Sequence, residues 1–328
     1  MSKISESAAP AAPPAPRRID LLDVLRGVAL LAMATYHFTW DLEFFGYLDR
    51  GLTGQGGWKL FARCIASSFL FLAGVSLVLA HARGIRWRPF GKRFAQVGAG
   101  AAAITAATYV ATPNGFVFFG ILHEIALASL LGLAFIRLPW LVTALAGVAV
   151  IALPQYYETV LTNPKWLAWI GMAETAPTSN DFVPLFPWFG AVLMGIAASR
   201  LATDQGWWSA LARLNPGLAR FRRLAWAGRH SLMFYLLHQP LLIALVWLAT
   251  QVSPPDPARM LQGECRRSCT AERDAAFCTA YCGCVGEKVQ AADLLKALLD
   301  GTTKVEENDR INEMAYACSA STPASPAP

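Results

Sequence analysis

Arg26, His37 and Asp41 stand in one largely apolar stretch, RRIDLLDVLRGVALLAMATYHFTWD (17–41). His37 and Asp41 are spaced i, i+4, so on a helix they share a face one turn apart. A carboxylate so placed can hold an imidazole in one tautomer and stabilise its cation, the orienter's part in acid–base and nucleophilic catalysis. A histidine at that depth can equally serve only to hydrogen-bond a neighbouring helix. Arg26 precedes His37 by eleven positions, which returns to nearly the same face and covers roughly 16 Å along a helix axis. A guanidinium there can take phosphate groups in a planar fork, reach lipid headgroups, or pair with Asp23.

Two further spans carry polar groups. His123 and Glu124 lie in FFGILHEIALASLLG and His238 in SLMFYLLHQPLLIALVWL. Each can tie helices together by hydrogen bonds, or the histidines of three helices can line one polar interior. His81 and His230 fall at span ends and are expected to be solvated.

The elements that must position these groups follow from composition. Of 328 residues 55% are hydrophobic and 15% charged, and the mean hydropathy is +0.38. That excludes an ordinary soluble domain. Seven stretches are long enough to cross a bilayer: 21–40, 58–80, 94–112, 116–136, 138–154, 183–201 and 230–250, with an eighth, re-entrant piece conceivable around Trp166–Met172. The fold expected is an all-α polytopic bundle. Small residues in GAGAAAITAAT (98–108) suit close helix packing, and Trp40, Trp58, Trp140, Trp166 and Trp188 suit the interfacial belt.

Placing the start of the chain inside puts Lys3, Arg17, Arg18, Arg83, Arg86, Arg88, Lys92, Arg93, Arg137 and the arginines of 200–229 on the cytoplasmic side. Arg50, Lys59 and Lys165 remain outside, so the cations follow topology and do not mark a nucleic-acid surface. Residues 1–17, Ala/Pro-rich, read as a disordered cytoplasmic leader. Residues 18–253 read as the membrane domain and 254–328 as a tail in the oxidising compartment.

Six of the seven cysteines, Cys265, Cys269, Cys278, Cys282, Cys284 and Cys318, fall in that tail. Such density in a small polar segment reads as a disulfide framework, with a zinc site as the other reading. Cys265/Cys269 and Cys278/Cys282 each put two sulfurs on one helical face. Two facing helices laced by Cys265–Cys282 and Cys269–Cys278, with Cys284–Cys318 closing the end, is one of fifteen connectivities. No Walker loop, dinucleotide fingerprint, HExxH or G-x-S-x-G elbow occurs.

The opening IDLLDVLRGVALLAMATYHFTWDL resembles the first helix of prokaryotic members of the heparan-alpha-glucosaminide N-acetyltransferase family, within the membrane acyltransferase superfamily with an R-x10-H motif. FLFLAGVSLVL (69–79), FGILHEIA (119–126), DFVPLFPWFGAVLMGI (181–196) and WAGRHSLMFYLLHQPLL (226–242) resemble later blocks in the same order. The resemblance implies a bacterial inner-membrane enzyme that moves an acyl group, acetyl in the first instance, from cytoplasmic acyl-CoA to a sugar amine or hydroxyl outside. It makes His37 the catalytic histidine, as transient acyl carrier or general base. His238 and His123 take supporting roles. Arg26, Arg83, Arg86, Lys92 and Arg93 face the nucleotide end of the donor. Acyl-CoA is then a co-substrate with no bound cofactor or metal, and the partners are lipid, a saccharide acceptor and, as an open question, a second copy. Two other readings stand beside it: a proton-coupled transporter or flippase with a His37, Asp41 and His123 relay, and a b-type haem protein ligated by His37 and His123.

Overall fold

A computed structural model describes residues 19–322, so the expected leader and the cations Lys3, Arg17 and Arg18 lie outside the described residues. Regular structure among the described residues is helical. In chain order the α-helices are α1 (Asp20–Phe44), α2 (Gly56–His81), α3 (Trp87–Ala111), α4 (Ile121–Gly132), α5 (Trp140–Ala152), α6 (Lys165–Ala168) and α7 (Leu185–Asp204). There follow α8 (Trp207–Arg213), α9 (Arg222–Arg229), α10 (Ser231–Val252), α11 (Pro257–Cys269), α12 (Ala275–Ala291), α13 (Leu295–Leu299) and α14 (Val305–Ser321).

Among the described helices α1, α2, α3, α7 and α10 are long and apolar enough to cross a membrane. The fourth and fifth expected spans are shorter, at 12 residues for α4 and 13 for α5. At 1.5 Å per residue they reach about 18–20 Å against roughly 30 Å of hydrocarbon. The reason lies before α4. Pro113–Gly115 is a 3-10 turn, and the Phe119 carbonyl accepts from Val183 N at 3.1 Å. The apolar run 116–120 is therefore loop, and the helix begins only at Ile121. The expected re-entrant piece reduces to the four residues of α6. Leu237, Leu241, Leu245 and Leu248 of α10 and Leu141, Leu145 and Val148 of α5 are exposed, as lipid-facing side chains must be.

The chain divides into two compact units. The first takes the described residues up to Leu30 with Ser67–Leu232, and the second takes Leu31–Ala66 with the chain from Met233 on. In the first, close backbone approach depends on glycine. A Cβ on Gly74 of α2 would strike the Val192 carbonyl of α7, and one on Gly195 of α7 would strike the Phe71 carbonyl of α2. The two glycines thus allow one crossing from both sides, where packing is the force that holds membrane helices together. Gly27 of α1 and Gly228 of α9 do the same: their Cβ atoms would meet the Leu224 and Asp23 carbonyls. At the start of α1, Asp20 N donates to Asn215 Oδ1 at 3.1 Å, satisfying an otherwise orphaned helix-end donor.

In the second unit the buried Glu43 carboxylate accepts from Gly51 N, Thr53 N (3.0 Å) and Thr53 Oγ1 (2.7 Å), which ties down the loop after α1. The same loop holds α11 through Arg50–Glu264 at 3.1 Å and Asp49–Arg266 at 3.4 Å. The tail joins Cys265 to Cys282, Cys269 to Cys278 and Cys284 to Cys318, so these sulfurs are not zinc thiolates. Val285, Val289, Leu294 and Cys318 form its small core, with Leu261, Ile311 and Met314 packed around them. A core that size relies on cross-links.

Candidate functional site

The first unit contains a cavity of about 380 Å³, within the range that takes a small-molecule ligand. Arg26 sits in its wall. One guanidinium nitrogen of Arg26 bonds Asp23 Oδ1 at 2.9 Å, and the other bonds Ser76 Oγ, which in turn donates to the Leu72 carbonyl. The fork is thereby fixed in direction before any ligand arrives, which is the value of arginine over lysine at such a point. Arg86, Arg93 and Arg229 also line the cavity, with Leu72, Phe90, Phe94 and Val97 as its apolar wall. Four guanidinium groups against the single carboxylate of Asp23 make this a place for an anion with an apolar body. Of the cations expected at a nucleotide, Arg26, Arg86 and Arg93 are brought together. Arg83 and Lys92 are exposed and do not line the cavity, since Lys92 lies about 100° round α3 from Arg93.

Two lining residues were not expected there. Arg229 looked like one more topological cation, and nothing in its sequence setting separates it from its neighbours. His81, expected to be solvated, is buried. Its Nδ1 lies 2.8 Å from the Leu77 carbonyl. A carbonyl only accepts, so Nδ1 carries the proton and Nε2, buried and without a partner, offers a lone pair. His230 is exposed, as expected.

The second unit brings His37 of α1 against His238 of α10, with ring centroids 4.9 Å apart. Asp41 is fully buried. Its Oδ1 accepts from Gln239 Nε2 at 2.7 Å and its Oδ2 has no hydrogen-bond partner. The expected Asp41–His37 hydrogen bond is therefore not made: the short carboxylate is claimed by a carboxamide reaching across from α10. His238 Nδ1 lies 2.7 Å from the Tyr235 carbonyl, so that nitrogen donates and the buried Nε2, also unpartnered, presents a lone pair. Pro240 sits inside α10 and has no N–H, so the Leu236 carbonyl loses its helical donor in the turn that carries His238 and Gln239.

His123 belongs to the first unit and is engaged at both nitrogens. Gly120 N donates to Nδ1 at 3.2 Å. Thr105 Oγ1 gives its one hydrogen to the Val117 carbonyl at 2.7 Å, so across the 3.2 Å contact it must accept from His123 Nε2. The ring holds the start of α4, with Asp181 accepting from Ile121 N at 3.0 Å beside it. Glu124, next along, is fully buried with neither carboxyl oxygen hydrogen-bonded.

Among known families, the model described as heparan-alpha-glucosaminide N-acetyltransferase, catalytic, matches residues 18–240. No curated protein and no solved structure gives a significant match.

Proposed function

Because the chain belongs to the heparan-alpha-glucosaminide N-acetyltransferase catalytic family, we propose that it takes the acetyl group of cytoplasmic acetyl-CoA and delivers it to a saccharide amine or hydroxyl on the far side of a bacterial inner membrane. The family implies an acetyltransferase, and apolar helices long enough to cross a membrane support a membrane-bound one. The observation that carries it is that α1 presents Arg26 to an arginine-lined cavity and, eleven residues on, His37 to a second histidine and a buried carboxylate.

In this reading the cavity holds the phosphates of the donor on Arg26, Arg86, Arg93 and Arg229. Along the single helix α1 the eleven residues from Arg26 to His37 rise roughly 16 Å, a length that an extended phosphopantetheine arm can cover. The acceptor nitrogen or oxygen attacks the thioester carbonyl. A C–N or C–O bond forms, the C–S bond breaks, and the proton of the nucleophile passes through an imidazole to the departing thiolate. His37 is the catalytic histidine, with His238 and Asp41 beside it. His123, with both nitrogens engaged, has a structural part. The tail would then lie on the periplasmic side, where its disulfides persist.

The test is incubation of the purified protein with radiolabelled acetyl-CoA, with and without glucosamine. Label should pass to the sugar, and His37→Ala should stop it while leaving membrane insertion intact. Wild-type protein that consumes no acetyl-CoA with any saccharide would reject the reading.

A further inference from the structure

The His37 cluster contains three buried polar atoms without a partner: Asp41 Oδ2, Gln239 Oε1 and His238 Nε2. All three are acceptors. Asp41 is ionised or offers at most one hydrogen. The amide of Gln239 is turned by its bond to Asp41 so that the NH2 group faces the carboxylate and the oxygen faces away. His238 has its proton on Nδ1, which donates it to the Tyr235 carbonyl and leaves Nε2 an acceptor. Buried polar groups are nearly always satisfied, and two orphaned acceptors on one hydrogen-bonded pair, Asp41 and Gln239, need a common explanation. A bound group rich in hydrogens supplies it.

We infer that Gln239, paired with Asp41, is the specificity-determining residue for the acceptor: Gln239 Oε1 and Asp41 Oδ2 take hydrogens from the atom that is to be acylated. This rests on the acetyltransferase reading and deepens it. The two oxygens belong to one hydrogen-bonded pair, so covalent geometry keeps both within a few ångströms of the shared bond and within reach of one small group. An amine or ammonium brings two or three hydrogens to them, whereas a hydroxyl brings one and leaves an acceptor buried and unpaired. A site of that kind discriminates by the hydrogens a substrate lacks, more strongly than an apolar pocket discriminates by size. A glutamate at 239 would set a second negative charge against Asp41 and lose the N–H that orients it, so the neutral amide is the side chain the pair needs.

The test uses detergent-purified full-length protein and radiolabelled acetyl-CoA with glucosamine, N-methylglucosamine or glucose. In the wild type kcat/KM should fall about tenfold or more from the primary amine, with two hydrogens on the reacting atom, to the methylamine and the hydroxyl, with one each. Gln239→Leu should flatten the series, while the KM for acetyl-CoA stays at the wild-type value. A series already flat in the wild type, or one whose slope survives Gln239→Leu, overturns the inference. Should Gln239→Leu fail to accumulate in membranes, Gln239→Met, which keeps the chain length and removes the amide, takes its place in the comparison. Failure of the acetyltransferase reading looks different, because the wild type then consumes acetyl-CoA with none of the sugars, and that result removes both.

Discussion

Gln239 of α10 donates to Asp41 of α1 at 2.7 Å, and this bond takes the carboxylate away from His37, which stands one turn before it on the same helix. The orientation of the acidic group is thus decided by a facing helix. The histidine instead meets a second histidine, His238, also from α10. Each polar group brought by α1 to this cluster is answered by one from α10, within the turn where Pro240 interrupts the helical ladder.

The pairing separates the charge of Asp41 from its size. Asp41→Asn keeps an oxygen for Gln239 and should leave the protein folded, while lowering kcat about tenfold or more through loss of the carboxylate. Asp41→Leu leaves the carboxamide buried and unpaired, which should also cost about 1–3 kcal/mol of stability. Acetyl-transfer kinetics beside a denaturation midpoint distinguish the two, and an Asp41→Asn protein with undiminished kcat would remove the carboxylate from the chemistry.

His37, expected to be catalytic, and His123, expected to support it, should behave differently. His37→Ala should lower kcat by about a hundredfold or more, the scale of a lost general base, with acetyl-CoA binding retained. His123→Ala should act on stability, by about 1–2 kcal/mol for the bonds at the start of α4, with the turnover of the folded fraction near that of the wild type. Active-site titration alongside the thermal midpoint reads both. A His123 variant that is stable but idle would return that residue to the chemistry.

Arg26 is fixed by Asp23 and Ser76 before a ligand binds, so lysine is not a conservative replacement there. Arg26→Lys keeps the charge but loses the planar fork. It should raise the KM for acetyl-CoA about tenfold and leave the KM for the sugar unmoved. Initial rates with each substrate varied in turn measure this. A shift confined to the sugar would mean that the cavity is not the donor's.

The long spans were legible because length and hydropathy alone decide them. The tail was legible in part: the i, i+4 spacing of Cys265/Cys269 and of Cys278/Cys282 puts two sulfurs on one face of each helix, and of the fifteen connectivities left open the structure has Cys265–Cys282 and Cys269–Cys278. What escaped depends on neighbours remote in sequence. Gln239 is uncharged and was passed over beside His238 in the block 226–242, and only α1 across from it gives it a task. His81 looked solvated because it ends a span, yet it is buried in the cavity wall. The run 116–120 is apolar enough to pass for membrane helix, and only its backbone bond to Val183 shows it to be loop.

The three bridges of the tail close loops of 9, 17 and 34 residues, for Cys269–Cys278, Cys265–Cys282 and Cys284–Cys318. If each acts by restricting the unfolded chain, its removal should cost about 2.5, 3 and 4 kcal/mol in that order. The longest bridge also runs through the tail's core, since Cys318 is packed with Val285 and Val289, so its loss should exceed the chain-entropy figure. Paired Cys→Ser variants of the full-length protein, ranked by resistance to urea or protease, check the order. The ion pairs Arg50–Glu264 and Asp49–Arg266 fasten α11 to the loop that Glu43 ties to the end of α1. Loosening α11 by removing both Cys265–Cys282 and Cys269–Cys278 should therefore also lower acceptor turnover. Full turnover in a reduced, protease-sensitive tail would confine the tail to stability.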